Sequence, residues 1–349
     1  MDERTVKFEI GEMVRWYDTY SDLLITKDTG YGIIMDIQAT DYGFTSGPWV
    51  TYRVYRNKHQ DICIFEIAQI EKLKEIGNGF VGSAIAAGFG LHANVKIYDK
   101  DSRRSLHTLE EVVNQSEFIF ISVPTPMKSV IDGKISLDIL DSVMEEINIC
   151  NTKTNNIFII KSTAVPGTAN TYIEQYPNLN IVFNPEFLTE RTARLDFINT
   201  SRIVIGGAPH LTKRVEKLYR DRFPATKIIK TDTTSAEFIK YMCNCFFATK
   251  VSFMNEMRQM VSSLGLNWTS IMDGFLTDGR IGNSHVDVPG HDGDFGFGGK
   301  CFPKDINAFI AYFKENNIDP TIMQAAWEKN MEVRTNHDWL TIEGAIQNK

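Results

Sequence analysis

The 349-residue sequence predicts an α/β protein: a doubly wound parallel sheet, preceded by a small β-barrel and followed by a helical domain. Three observations carry this. Strand and helix patterns alternate from about residue 73 to 230, as they do when helices cover a parallel sheet. Before them, residues 1–72 read as short runs of β-branched and aromatic residues broken by Gly, Asp and Pro. After them, from 231 to 349, helical patterns dominate. The predicted domains are 1–72, 73–230 and 231–349.

Composition narrows the function classes. A net charge of −7 argues against a general nucleic-acid binder. No apolar run is long enough to span a bilayer, and the opening MDERTVKFEIGEM lacks a basic stretch followed by an apolar core, so neither membrane partner nor signal peptide is expected. The five cysteines are odd in number and scattered, which suits a reducing, cytoplasmic setting. Cys243 and Cys245 lack a second ligand pair, so no metal is expected.

In the first segment, FEIGEMVRWYD, GYGIIMDIQA, WVTYRVYR and CIFEIAQI are the strand candidates. Several short strands of this kind suggest a closed or nearly closed barrel. Its aromatics (Trp16, Tyr17, Tyr31, Trp49, Tyr52, Tyr55) suit the core of so small a domain better than a binding patch. Nothing there has catalytic spacing.

The second segment opens with Gly77-Asn78-Gly79-Phe80-Val81-Gly82, a complete GxGxxG. The glycines permit a tight turn and close approach of a pyrophosphate, and the N-terminus of the following helix (80–90) favours the anion. Asp99 closes the next strand, VKIYD, where a carboxylate binds ribose hydroxyls and repels a 2′-phosphate; NAD is the expected cofactor. A helix near 108–114, strand FIFISV, helix 136–149 and strands IFIIKS and IVFN complete a Rossmann-type pattern. One stretch resists it. The strand before Gly77 should be a buried apolar run, but IEKLKEIG is charged, so it is either cut short or joined to the barrel. Three loops fall at strand ends, where such sheets bind ligands: Val123-Pro124-Thr125-Pro126, Lys161 to Thr168 with Ser162 and Thr163, and Asn184 to Glu190.

The third segment begins with a long helix. Thr234 and Glu237 form a capping-box pattern at its start and Gly265 a stop at its end. Its middle is apolar on nearly every face, which predicts burial, and Lys240 and Asn244 share one face. Further on stands FGFGGKCFPKD, residues 295–305. Gly296, Gly298 and Gly299 allow tight turning and close approach to a ligand. A cation such as Lys304 favours the thiolate of Cys301, the nucleophilic form, and Asp305 supplies a carboxylate to move a proton or activate water. An inert cysteine in a surface turn is the plainer alternative; three glycines and a Lys-Asp pair weigh against it.

Taken in order, GxGxxG, VPTP, KST-x-VPG, NPEFLTE, the Lys240/Asn244 helix, Asp278-Gly279-Arg280-Ile281-Gly282 and GFGGKCFPKD resemble the UDP-glucose/GDP-mannose dehydrogenase family over about residues 76–335. The resemblance implies a two-step oxidation of a nucleotide-sugar primary alcohol to a carboxylate with two NAD, UDP-glucose being the expected substrate. It implies that Cys301 is the nucleophile, passing through a thiohemiacetal and a thioester. Lys240 and Asn244 then stabilise charge on the substrate oxygen, Asp305 and Thr163 hold a water, and Glu186 serves thioester hydrolysis. It places Gly77 to Gly82, Asp99, Val123, Pro124, Thr125, Ser162, Glu190 and Lys304 at the cofactor. Phe187, Leu188, Arg280, Phe297 and Gly298 fall at the substrate, with Arg280 reaching across a homodimer built on the long helix. The chain ends at Lys349, short of the family's third, uridine-diphosphate-binding domain. His285 and His291, in the long loop 280–298, and amides near Gly298 are then expected to hold the diphosphate. Two readings of other classes stay open: a two-electron hydroxyacid-type dehydrogenase that does not need Cys301, and a non-catalytic interaction protein that works through its barrel.

Overall fold

The computed structural model describes residues 13–19, 26–40, 49–56, 61–66, 70–72, 79–89, 95–102, 105–129, 133–342 and 344–347, with side chains from residue 79 onward. Gly77, Asn78 and the barrel aromatics' side chains lie outside what is described. The chain forms two units, 1–106 with 189–199, and 107–188 with 200–349. Each is described by itself.

The first five strands are β1 (Met13–Thr19), β2 (Thr26–Thr40), β3 (Trp49–Arg56), β4 (Asp61–Glu66) and β5 (Ile70–Lys72). Next come α1 (Phe80–Phe89), α2 (Leu109–Gln115), β6 (Phe118–Ile121), α3 (Asp138–Cys150), β7 (Ile157–Ile160), α4 (Thr168–Gln175) and β8 (Asn180–Phe183). They are followed by α5 (Ala193–Ile198), β9 (Arg202–Gly206), α6 (Pro209–Arg222) and β10 (Lys227–Thr231). The helical part holds α7 (Thr233–Ser263), α8 (Trp268–Leu276), α9 (Phe302–Glu315) and α10 (Thr321–Val333).

In the first unit the five strands form an antiparallel sheet in the order β4-β3-β2-β1-β5. β4 and β5 stand at its two edges, so the closure expected of a barrel is not among the described pairings. β5 explains the charged stretch before the glycine turn. It pairs with β1 through Val14↔Lys72, Arg15↔Glu71 and Trp16↔Ile70. An edge strand of an antiparallel sheet accepts charges that a buried parallel strand does not. The expected strand VKIYD is corrected: residues 95–99 form none. Two of their backbone groups are met locally, Leu106 N donating to Ile97 O at 3.2 Å and Asp99 N to Ser105 Oγ at 3.2 Å. α1 packs on α5, with Phe89 edge-on to Phe197 at 5.8 Å between centroids. Gly88 makes this approach possible, since a Cβ there would meet the Phe197 ring at 2.3 Å.

In the second unit the sheet order is β10-β9-β8-β7-β6. β6, β7 and β8 run parallel, and β9 runs parallel to β10. β9 meets β8 antiparallel at Phe183↔Gly206. The sheet is therefore mixed, not wholly parallel as expected. Antiparallel strands at the side of a parallel sheet are common, and β10 has no buried position, as an edge strand should. β7 is buried at all four positions and reads as the unbroken apolar run of a central strand. α3 lays Leu140, Met144 and Ile147 on the sheet at helical spacing, each at most 1% exposed. Burying each is worth about 1.5–3 kcal/mol. α2 starts at a capping box in which Glu111 N donates to Thr108 Oγ1 (3.2 Å) and Thr108 N to Glu111 Oε2 (2.8 Å).

α7 crosses from this sheet into the helical core, where Tyr241, Cys245 and Ala248 pack with Ile306, Phe309 and Ala326 of α9 and α10. Its start differs from expectation. Asp232 is the cap, its Oδ1 accepting from Ser235 N at 2.8 Å, so Thr234 and Glu237 form no capping box. Glu237 instead caps α4, accepting from Gly167 N (2.6 Å) and Ala169 N (2.7 Å). The stop at Gly265 stands: with φ at +64°, Gly265 N donates to Ser262 O and Leu266 N to Val261 O, the paired bonds of a glycine terminator. Burial on every face does not stand. Met242, Phe246, Phe253 and Met260 are 61%, 63%, 50% and 59% exposed. No helix among the described residues is long and apolar enough to cross a membrane.

Candidate active site

Parallel pairing of β6, β7 and β8 brings the three strand-end loops to one edge. Side chains then tie them together. Ser162 Oγ accepts from Val123 N (2.9 Å) and donates to Val123 O (2.8 Å). Thr125 Oγ1 donates to Thr163 O at 2.8 Å. Lys161 Nζ donates to Asn184 Oδ1 (3.1 Å) and Pro185 O (3.4 Å). The buried Thr125 and half-buried Thr163 thus have a fixed backbone, while Pro124 is exposed.

Over this edge lies the polar face of α7. Lys240, 3% exposed, donates to Glu186 Oε1 at 2.7 Å; Glu186 is 6% exposed and its Oε2 accepts from Leu188 N at 2.6 Å. Burial would strip Lys240 of its proton, but the Glu186 carboxylate, with Asp305 and Cys301 beyond it, outweighs burial and holds its pKa above the ordinary value. One turn on, Asn244 Nδ2 donates to Asp305 Oδ2 at 2.6 Å. The other oxygen, Oδ1, takes Lys304 Nζ at 2.5 Å. Both oxygens of a carboxylate that is 1% exposed are thereby engaged.

Cys301 stands at the N-cap of α9, half-buried among these charges. The expectation of a ready thiolate is corrected. Burial pushes the thiol up to about 11, the Asp305 carboxylate adds to this, and Lys240 and Lys304 oppose it. Lys304 has little left to offer the sulfur because Asp305 already holds it. Cys301 is a neutral thiol at rest.

The glycine loop before Cys301 is held from behind by residues that no motif announced. Gly296 N donates to Asn255 Oδ1 (3.1 Å), Phe297 N to Asn330 Oδ1 (2.7 Å) and Gly299 N to both Asp338 oxygens (3.1 Å). Arg334, 4% exposed, pairs with Asp292 at 2.7 Å and Asp338 at 3.4 Å. A Cβ at Gly298 would meet Arg334 Nη2 at 2.2 Å and Asp338 Oδ1 at 2.4 Å, so a side chain there would have to displace this ion pair. Phe297 is 4% exposed and packs edge-on to Phe302 at 6.1 Å in the core of the loop. Phe187 lies between two cations, Arg202 at 4.3 Å and Lys240 at 5.7 Å from its ring centre.

Arg280 is not brought to this cluster by its own chain. Its side chain is 90% exposed and its Nε donates to Asp278 Oδ1 at 2.9 Å. His285 lies in the loop expected to hold the diphosphate. It stacks on Phe247 at 4.2 Å between centroids, and burial, with Lys250 nearby, lowers its pKa, leaving the imidazole neutral. His291 is exposed. Arg334 escaped the sequence reading, and Lys161 and Glu237 entered it without the roles the fold gives them. Each is a charge at most 5% exposed, and only the fold shows that its partners are close.

The other expected cofactor residues belong to the first unit. Gly79 is exposed and Phe80, Val81 and Gly82 make the half-buried first turn of α1, which has no acidic residue. Free N–H groups and no carboxylate suit a pyrophosphate. Asp99 is half-buried, its Oδ1 accepting from Asp101 N at 2.8 Å. Glu190 is exposed in a 3₁₀ turn, Glu190–Thr192. What is described of these residues fits a dinucleotide.

Two family models match this chain: the NAD binding domain of the UDP-glucose/GDP-mannose dehydrogenase family over residues 89–222, and its central domain over 234–332. A UDP-glucose 6-dehydrogenase of Rickettsia bellii is 35% identical over 231 residues, 64% of this chain and 51% of that one. Another, of Rickettsia typhi, is 31% identical over 298 residues, 73% of this chain and 65% of that one. A solved UDP-glucose dehydrogenase of Pyrobaculum islandicum superposes with a TM-score of 0.60 at 26% identity, covering 73% of this chain and 66% of that one. The chain spans about half the length of the first of these relatives. With the two domain models matched in order over most of residues 89–332, the chain belongs to the UDP-glucose/GDP-mannose dehydrogenase family and carries its NAD binding domain.

Proposed function

We propose that this chain oxidises a nucleotide sugar at its primary alcohol, UDP-glucose to UDP-glucuronate, with Cys301 as the covalent nucleophile. The observation that carries this is the buried set Lys240–Glu186 and Asn244–Asp305–Lys304 around Cys301. NAD held by the residues named below would supply the hydride acceptor, one molecule per oxidation and two per sugar, while the alcohol's hydroxyl proton goes to a base or solvent. Lys240 and Asn244 are donors fixed in a water-poor site, where they stabilise negative charge on the sugar oxygen. Addition of the Cys301 thiol to an aldehyde joins sulfur to carbon and carries the thiol proton to the carbonyl oxygen. It needs no standing thiolate, which agrees with a thiol held near 11. The thiohemiacetal would give a hydride to a second NAD and its hydroxyl proton to a base or solvent, leaving a thioester. Water then cleaves the carbon–sulfur bond, giving carboxylate and free thiol, with Asp305 and Thr163 holding that water and Glu186 taking its proton.

The same reading gives Gly77 to Gly82, Asp99, Val123 to Thr125, Ser162, Glu190 and Lys304 to the cofactor, and Phe187, Leu188 and Gly298 to the sugar. It keeps the division 1–72, 73–230 and 231–349. The exposed stripe Met242, Phe246, Phe253 and Met260 supports a homodimer built on α7. Arg280, exposed as it is, reaches the second subunit's site in that dimer.

Counting NADH per sugar tests the covalent route. Two NADH per UDP-glucose, with acid as product, are expected; one NADH with free aldehyde overturns it. Cys301→Ser stops before the acid, and full turnover to acid in that variant removes Cys301 as nucleophile.

A further inference from the structure

The buried charges of the second unit differ in one respect. Lys240, Lys304 and Arg334 each have a carboxylate partner. Lys161, 5% exposed at the end of β7, has two hydrogen-bond acceptors and both are neutral, Asn184 Oδ1 and Pro185 O. A buried ammonium without a paired anion is costly, so such a residue needs a reason.

Its acceptors supply one. Asn184 and Pro185 are the two residues before Glu186. Asn184 is 1% exposed and fully used: Oδ1 accepts from Lys161 and from the Tyr219 hydroxyl, and Nδ2 donates to Val204 O at 2.5 Å. The end of β8 is thus tied to β7, β9 and α6 at one side chain. Glu186 begins directly after this knot, and both its oxygens are then engaged by Lys240 and Leu188 N.

We propose that Lys161 is a positioning residue, which fixes the backbone at Asn184–Pro185 and so aims the Glu186 carboxylate at Lys240. Every group that faces it agrees with this role. Tyr219, on α6, is held as a neutral phenol by burial and stays a donor to Asn184. Burial lowers Lys161 to about 7; Glu186 opposes that shift and Lys240, on α7, adds to it. Lys161 therefore senses the very pair that it positions. The role in turnover rests on the oxidation proposed above; the placement of Lys161 does not.

The test has two arms. The first needs no activity. Because the folded-state value lies below the ordinary lysine value of 10.5, the unfolded chain binds more protons between about pH 7 and 10.5, and stability rises with pH across that window. Measured by denaturant unfolding, the folded-to-unfolded ratio of wild type over Lys161→Met should climb towards about tenfold per pH unit there. In a Glu186→Gln background the onset of the climb should move to lower pH, because the group that raises Lys161 is gone. A flat ratio, or an onset that ignores Glu186, overturns the proposal. Should Lys161→Met fail to fold, the onset in wild type against Glu186→Gln decides alone.

The second arm is kinetic. Lys161→Met should lower kcat about 100-fold, the cost of slight misplacement of a reacting group, with KM for NAD and sugar within about threefold, and Lys161→Arg should restore most of it. An unchanged kcat, or a loss confined to KM, overturns the positioning role. If wild type makes no NADH from any nucleotide sugar, the proposed oxidation fails while the first arm still judges Lys161.

Discussion

The two faces of α7 contrast. The inward face carries Glu237, Lys240, Asn244, Ser252 and Asn255, at most 8% exposed, and each has a named partner on another element. The outward face carries Met242, Phe246, Phe253 and Met260, at least 50% exposed. The inward side also carries the apolar Tyr241, Cys245 and Ala248, so the polar groups form a row within a core-facing side, and the exposed apolar stripe is added to the usual amphipathic pattern. A polar stripe is tolerated inside only if every group is satisfied, and that requirement fixes the geometry of the cluster around Cys301. An apolar stripe outside has no such constraint and marks a contact surface.

The contrast can be broken most sharply at Lys240. Lys240→Ala removes a donor for the developing oxyanion and should lower kcat by about 10²–10³. It also leaves Glu186 buried without its cation, at about 3–5 kcal/mol of stability, so unfolding should be followed alongside turnover. A variant that keeps both rate and stability would show that the inner face is not a catalytic surface.

Asp305 sharpens the same face through its charge. Its carboxylate helps to hold the Cys301 thiol near 11, so thiolate at pH 7 is roughly one part in ten thousand. Alkylation by iodoacetamide should therefore be slow at pH 7 and rise steadily to about pH 11. Asp305→Asn should speed it at pH 8, because a group that raises the thiol is gone. Faster alkylation on losing Lys240 would reverse the sign argued here.

Further along, Asn255 separates support from chemistry. Asn255→Ala leaves the buried Gly296 N–H without its acceptor. The expected cost is about 1–3 kcal/mol in denaturant unfolding, with a smaller effect on rate than any change at Lys240.

The outward face should respond least. Phe246→Glu alters an exposed position, so the stability of the isolated chain should move by no more than about 0.5 kcal/mol. What it should change is assembly: light scattering should report a dimer for wild type and a monomer for the variant. A wild-type monomer with full turnover would refute an interface on this face.

Much of the cluster was legible because its residues sit in short local motifs. Lys240 and Asn244 share a face by spacing alone, and Gly298, Cys301, Lys304 and Asp305 fall within one short stretch of sequence, the end of a loop and the first turn of α9. The three strand-end loops followed from the alternation of strands and helices. Other features were not legible. VKIYD looks like a strand, but residues 95–99 form none, and of their backbone groups Ile97 O and Asp99 N bond to residues 106 and 105. Thr234 and Glu237 match a capping box, but the helix starts earlier, at Thr233, with Asp232 as its cap, and Glu237 is taken by Gly167 N and Ala169 N.

By itself the sequence determined which residue types stand at which spacings: the glycine turn, the hydroxyl-rich loops, the Lys-Asn face and the cysteine loop. Those are local properties, set by backbone freedom and helical period. Only the tertiary structure decided how charges separated in sequence would meet. It paired Lys240 with Glu186, gave Asp305 to Asn244 and Lys304, raised the Cys301 thiol by burial, and left Lys161 on neutral acceptors beneath Glu186. The physical reason is that desolvation and pairing depend on what lies within a few ångströms, which chain order does not encode.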